Sequence, residues 1–210
     1  MSGVVTQNVL GNSGLVKAVE AGGGAWTEIK TLTSGGSDDN LSFVNGTDDV
    51  VLDSTYPIYC FQFINIHPET NDTFFEFNGS DDTSSHSYDI TKTTTLFTAE
   101  HDEGNSVSQV TYQTGDDLAQ ATGYQRLFNG IGNGNDECLS GTLHLFNPSS
   151  TTFVKHFVAS IAGLRHNDAS ANNYCAGYFN TTAAITALDF KMTSGEIQGG
   201  KIKLFGIKDS

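Results

Sequence analysis

The chain has only three cysteines, three prolines and two methionines in 210 residues. Cys60, Cys138 and Cys175 are far apart and odd in number, and no CxxC or HExxH spacing occurs. The sequence therefore indicates neither a disulfide framework nor a zinc site, and we expect a protein made in a reducing cytoplasm. Because Cys60 lies within an apolar strand pattern, we expect it to be a buried free thiol.

Positive charge is also scarce. Lys and Arg number 10 against 24 Asp and Glu, which gives a formal net charge of −14. Such a surface repels phosphate backbones, so we expect no nucleic-acid binding. No apolar run approaches the roughly 18 residues of a membrane span, so we expect no membrane insertion. The first residues, MSGVVTQNVLGNSG, have neither the basic nor the continuous apolar region of a secretory signal.

Glycine, threonine, serine and asparagine occupy much of the chain, since hydrophobic residues make up 37% and charged residues 16%. These four types favour turns and strand surfaces rather than helices. Apolar–polar alternation bounded by turn residues recurs along the sequence and predicts strands. The predicted strands are residues 27–32, 41–44, 50–56, 59–66, 72–78, 139–147, 153–163, 174–180, 185–192 and 200–207.

No regular helix separates these strands, which excludes parallel βαβ folds. The chain is also long for an immunoglobulin-like domain of about a hundred residues. The sequence thus predicts an all-β protein, an antiparallel two-sheet jelly-roll-like β-sandwich over residues 25–210 with an extended N-terminal arm. Residues 116–125 are the only helix candidate, and the glycine-rich stretch 129–137 predicts a mobile loop.

The final stretch, SGEIQGGKIKLFGIKDS, predicts a turn at Gln198-Gly199-Gly200 followed by the last strand. Lys201 and Lys203 alternate with Ile202 and Leu204, so we expect the lysines outside and the aliphatic residues inside. Gly206 lacks a side chain, which allows another backbone or a ring to approach closely. We expect this strand to be paired within a sheet.

Residues 1–24 differ from the remainder and end in a glycine-rich hinge over 21–25. They contain too few apolar groups to form a core alone. We therefore expect an arm whose aliphatic side chains are buried against a partner. The predicted partner-binding residues are Val4, Val5, Val9, Leu10, Leu15, Val16 and Val19.

Several motifs resemble a family of β-sandwich virion proteins of tailed, especially marine, bacteriophages. They are the C-terminal signature SGEIQGGKIKLFGIK (194–208), GGGAWTEIKT (22–31), LDSTYPIYCFQFINIHP (52–68) and LSGTLHLFNPSSTTFVKH (139–156). The similarity extends over about residues 22–207. It implies a virion surface protein related to tails or fibres, located in the virion and assembled in the host bacterial cytoplasm. The family has no catalytic motif to transfer.

The sequence offers few candidates for catalytic or metal-binding residues. The acidic pairs Asp38-Asp39, Asp48-Asp49, Asp81-Asp82 and Asp116-Asp117 are either solvated turns or contributors to Ca²⁺ sites. His144 and His156 face each other only if the hairpin that joins their strands has a suitable register. We expect no metal, no organic cofactor and no enzymatic activity, because nucleophile, zinc-protease and phosphate-loop motifs are missing.

Tyrosines in polar, irregular regions offer a better indication of function. An exposed tyrosine ring presents an apolar body and a polar tip, which suits receptor or glycan binding. Alternatively, these rings cap the ends of the sandwich. The candidates are Tyr88, Tyr112, Tyr124, Tyr174 and Tyr178.

The leading functional hypothesis is a tail-associated fibre or receptor-binding subunit. It would attach to other virion proteins by its arm, form a homo-oligomer, most simply a trimer, and contact a host surface glycan or protein. The alternative is a capsid decoration or cement protein. A carbohydrate-binding module and a glycan-degrading enzyme are more remote alternatives.

Deletion of residues 1–24 tests the arm. Each buried aliphatic side chain contributes about 1.5 kcal/mol or more, so several of them are enough to dock a short arm despite its ordering cost. We expect the truncated protein to remain soluble and folded by circular dichroism but to be missing from purified virions. Incorporation of the truncated protein at normal copy number would place the attachment in the sandwich instead.

Overall fold

The computed structural model describes residues 25–209, which form twelve β-strands and no helix. Their bounds are β1 Trp26–Thr33, β2 Asn40–Val44, β3 Ile58–Pro68, β4 Thr73–Ser80, β5 Lys92–Asp102, β6 Ser108–Tyr112, β7 Gln125–Ile131, β8 Leu139–Phe146, β9 Lys155–Leu164, β10 Ala169–Phe179, β11 Ala187–Met192 and β12 Ile197–Ile207. The predicted arm lies outside the described residues.

Two sheets make up the fold. The larger has eight strands in the order β1-β12-β3-β8-β9-β10-β5-β6, and the smaller has four in the order β2-β11-β4-β7. Every pairing among the described strands is antiparallel. The predicted all-β, antiparallel two-sheet sandwich is therefore confirmed.

Phenylalanine side chains join the two sheets. Phe190 of β11 lies with its ring centroid 5.2 Å from Phe61 and 5.3 Å from Phe63, both on β3 of the larger sheet. The same ring lies 6.2 Å from Phe43 on β2 and about as close to Phe75 and Phe77 on β4. All six rings are buried. Rings at these separations contribute beyond their buried area, so this cluster is the centre of the core.

The strands of residues 92–131 were not predicted. In β5 the inward positions include Lys92, Thr94 and Thr98, which are buried although they are polar. This replaces the apolar alternation on which strand prediction depends. Lys92 is satisfied because its Nζ donates to Asn78 Oδ1 at 2.5 Å and to the Ile90 carbonyl at 2.8 Å. Burial lowers the pKa of Lys92 to about 7.

Two predicted elements are wrong. Residues 116–125 form no helix, because the backbones of Leu118 and Ala121 bond to Thr94 and Lys92 along the edge of β5. Residues 50–56 form no strand: Val50 and Leu52 are buried, but the chain turns around Asp53, whose carboxylate accepts the N–H of Thr55. The predicted loop 129–137 is partly strand, since its first three residues end β7.

The C-terminal strand β12 is paired on both sides, with β1 and with β3, as predicted. Ile202 and Leu204 are fully buried, while Lys201 and Lys203 are on the other face. The predicted turn at Gln198-Gly199-Gly200 is wrong, because these residues lie within the strand at two register shifts. Gly200 has a φ of 100°, which suits glycine in a β-bulge.

Gly206 accommodates a ring, as its sequence position predicted. A methyl group added at this residue would stand 2.5 Å from Cε2 of Tyr56. We expect Gly206→Ala to lower the free energy of unfolding by about 1–3 kcal/mol through overpacking, measured by urea denaturation. Gly199→Ala, in the same strand, is the control, because its methyl group would lie 3.8 Å from the nearest atom, His67 Cβ. Equal losses for the two variants would contradict this role of Gly206.

Candidate functional site

The outward face of strands β8, β9, β10, β5 and β6 carries no charged residue. Outward positions are the even-numbered residues of β8, β9, β10 and β6 and the odd-numbered residues of β5, as strand register and burial show. None of them is Asp, Glu, Lys or Arg. We call this surface the neutral face; it stands out in a chain with a net charge of −14.

Two aromatic pairs stand on the neutral face. The first, the Tyr174 pair, consists of Tyr174 on β10 and Phe97 on β5, with ring centroids 5.0 Å apart and planes inclined by 18°. Their side chains are about 40% exposed, and Tyr112 of β6 extends the same row opposite Phe97. The hydroxyl of Tyr174 accepts a hydrogen bond from Asn172 Nδ2 at 3.0 Å.

The second, the Tyr178 pair, consists of Tyr178 on β10 and His156 on β9, with ring centroids 5.8 Å apart. These residues are opposite each other in the strand register. The hydroxyl of Tyr178 accepts a hydrogen bond from Gln120 Nε2 at 3.2 Å. Tyr174 and Tyr178 are four residues apart on one strand, so their Cα atoms are separated by about 13 Å.

A trough runs between the two pairs, across the strands. Its floor is the cross-strand row Val158, Ala176 and Thr95, since Ala176 is opposite both of the others. Two adjoining cavities of about 410 and 330 Å³ share these three residues. Their side chains are small, so the larger rings on either side form walls. Every residue that lines the two cavities is uncharged.

A wider depression of about 700 Å³ lies on the other side of the Tyr174 pair. It is lined by Ala162, Asn172, Val110 and also by Glu100. Glu100 forms an ion pair with Arg165. The Glu100 side chain belongs to the inner face of β5, so the Tyr174 pair is a ridge between two depressions of the same face.

The other two predicted tyrosines lie near the small sheet. Tyr124 is half-buried, and its hydroxyl donates to Asp189 Oδ2 at 2.8 Å. Ser42 donates to the other carboxylate oxygen of Asp189. Asp189 points away from the core of the sandwich but is fully buried. Burial raises the pKa of Asp189 and that of Tyr124. Tyr88 is half-buried, and burial raises its pKa too.

These contacts hold loops against the small sheet. Asn78 Nδ2 donates to the carbonyls of Tyr88 and Thr122, the latter at 3.0 Å. Lys191 Nζ lies 4.1 Å from the ring centroid of Tyr124. The surroundings of Tyr88 and Tyr124 thus favour the capping interpretation, whereas Tyr112, Tyr174 and Tyr178 lie together on the neutral face. Phe97 and Ala176 were not singled out in the sequence, and His156 was considered only as a partner of His144, because only the register brings these residues beside the tyrosines.

Two of the acidic pairs contain an aspartate with several hydrogen-bond partners in the protein. The Asp82 carboxylate accepts hydrogen bonds from the backbone N–H groups of Ser84, Ser85, His86 and Ser87. These bonds hold the pKa of Asp82 far below its usual range. Asp116 forms an ion pair with Arg126, with 2.6 Å between Oδ1 and NH1.

No metal site is built from these groups in the part of the chain that is described. Between residues 25 and 209, no group of three His, Cys, Asp or Glu side chains could hold an ion. His144 and His156 are not opposite each other, since the register pairs His144 with Val158. All three cysteines are free, and Cys60 is buried as predicted.

Comparison with known proteins gives no relative. A scan against protein-family models, a search of curated proteins and a search of solved structures each found no match. The resemblance to phage virion proteins thus stays a prediction from the motifs. Among the described residues, no helix exists that is long and apolar enough to cross a membrane.

Matched Tyr→Phe variants distinguish a structural tyrosine from a surface one. We expect Tyr124→Phe to lower the free energy of unfolding by about 1–3 kcal/mol, because buried Asp189 loses a donor. Tyr174→Phe should change it by less than about 0.5 kcal/mol, since its hydroxyl is on the surface. Chemical denaturation of both variants measures the difference. Equal stability of Tyr124→Phe and the unmodified protein would show that this hydroxyl does not support the fold.

Proposed function

We propose that the chain is a structural protein of a tailed-phage virion, a tail-associated fibre or receptor-binding subunit. It is attached by residues 1–24 and presents the sandwich for host attachment. In this proposal the protein is not an enzyme, it assembles as a homo-oligomer, most simply a trimer, and it is located in the virion.

The neutral face carries this proposal. The strand positions of this face include no Asp, Glu, Lys or Arg, so an uncharged partner can contact it without burying an unpaired charge of these strands. Exposed aromatic residues on it supply large rigid contact areas at low cost in conformational entropy. Tyr174 and Tyr178 are thus the tyrosines best placed for attachment, whereas the Tyr112 hydroxyl donates to Asp117 Oδ2 at 2.7 Å.

The positions of the family-like motifs agree with one shared unit. The motifs 22–31, 52–68, 139–156 and 194–208 contribute to β1, β3, β8 and β12, respectively. These four strands are contiguous in the sheet, in the order β1-β12-β3-β8. The trough lies on β9, β10 and β5, and the motifs reach it only at His156, the last residue of motif 139–156. This arrangement suits a shared scaffold on which the attachment surface is carried by other strands.

An adsorption assay tests the proposal. Purified full-length protein, added in excess to host cells, should block adsorption of the phage whose virion contains it, because both compete for one receptor. Heat-denatured protein is the control. We expect quantitative mass spectrometry of virions to give a small multiple of three or six copies, as tail symmetry requires. Unchanged adsorption together with hundreds of copies per virion would instead identify a capsid decoration protein.

A further inference from the structure

The trough on the neutral face has the chemistry of a ligand site. We infer that it binds an uncharged, hydroxyl-rich chain, a neutral glycan, that lies across strands β9, β10 and β5 between the Tyr174 and Tyr178 pairs. This inference rests on the proposed function, because it names the class of receptor that the attachment surface takes.

Charge excludes an acidic ligand. The trough contains no Lys or Arg with which to pair a carboxylate, sulfate or phosphate group. The chain around it has a net charge of −14. An acidic glycan would therefore lose hydration without gaining an ion pair, and it would be repelled at long range. A neutral glycan meets neither cost.

The tyrosine hydroxyl groups of the walls accept hydrogen bonds from neighbouring amides and have a donor left over. Tyr174 and Tyr178 each accept a hydrogen bond, from Asn172 and Gln120 respectively. Neither hydroxyl donates one to another residue within the described range 25–209. A tyrosine hydroxyl has one hydrogen to donate, so that of Tyr178 remains available to an acceptor in the trough, whereas the Tyr174 hydroxyl lies beside Asn172 at the depression beyond the ridge.

The composition of the surface favours a glycan over a second copy of the chain. Interfaces between identical subunits are largely apolar at their core. Here Thr93, Thr95, Ser160, His156 and the two tyrosine hydroxyls alternate with a few apolar side chains. Ring faces that stack on sugar C–H groups, beside neutral donors and acceptors for sugar hydroxyls, match a glycan better.

The size is also suitable. The two adjoining cavities, of about 410 and 330 Å³, fall within the roughly 300–1,000 Å³ that is usual for small-molecule sites. They are open to solvent along the row Val158–Ala176–Thr95, so a chain can enter and leave the trough at its ends. A short oligosaccharide segment that lies along this row would have the Tyr178 pair on one side and the Tyr174 pair on the other.

The test uses full-length protein and four hexasaccharide probes: cellohexaose, maltohexaose, mannohexaose and the acidic hexagalacturonate. Binding is measured by isothermal titration calorimetry with probes at millimolar concentration. We expect at least one neutral probe to bind and hexagalacturonate not to bind. Ala176→Glu, which places a carboxylate on the trough floor, should weaken that binding at least about tenfold.

Ala162→Glu is the matched control, because it makes the same change on the same face beyond the Tyr174 ridge. This variant should bind the neutral probe with an affinity within about twofold of that of the unmodified protein. Circular dichroism and sedimentation must show that both variants keep the fold and the oligomeric state. Preference for the acidic probe, absence of binding to every neutral probe, or equal losses in the two variants would overturn the inference. Loss of the oligomer in Ala176→Glu would overturn it too, and would identify the trough as a contact between copies.

Failure of this inference and failure of the proposed function are distinguishable. If purified protein blocks phage adsorption but binds no neutral probe, the attachment function stands and the glycan inference is wrong. If a neutral probe binds in the trough but adsorption is unaffected, the site stands and the attachment function is wrong.

Discussion

The contact of Phe190 with phenylalanines from both sheets is the interaction on which the fold depends. The four-stranded sheet covers only part of the eight-stranded sheet. The contacts between phenylalanine rings of the two sheets determine which part is covered. Phe190 meets Phe61 and Phe63 at the β3 end, while Phe77 extends the contact to Phe157 of β9 at 5.0 Å. The larger sheet is held from β3 to β9 by these rings.

The inner face beyond β9 is covered differently. Buried polar residues, Lys92, Gln125 and Asn173, hold irregular segments over it. Asn173 Nδ2 donates to the Leu127 carbonyl at 3.2 Å, and Gln125 Nε2 donates to the Asp116 carbonyl at 2.8 Å. Each of these buried polar groups has a hydrogen-bond partner, either a backbone carbonyl or another side chain. The half of the large sheet that carries the trough is thus covered by β7 of the small sheet together with the segment around Asp116, and these polar side chains hold both in place.

This difference explains how far the sequence could predict the fold. Strands β3, β8 and β12 pack aliphatic and aromatic side chains against rings, so their alternation is visible in the sequence. Strand β5 buries Lys92 and two threonines, whose role depends on partners distant in sequence. The same limit applies to the candidate site. Tyr174 and Tyr178 could be chosen by type, but the walls and floor of the trough follow from the register of β9, β10 and β5, which local pattern does not specify.

The pairing of β1 with β12 has a geometric consequence. Lys208 N donates to the Ala25 carbonyl at 2.9 Å, so the first and last described segments meet at one corner of the larger sheet. Strand β10 is five strands away from β1, which is a distance of about 24 Å. Anything joined covalently at either corner segment is therefore kept to one side of the molecule, and the sheet acts as a spacer that carries the trough away from it.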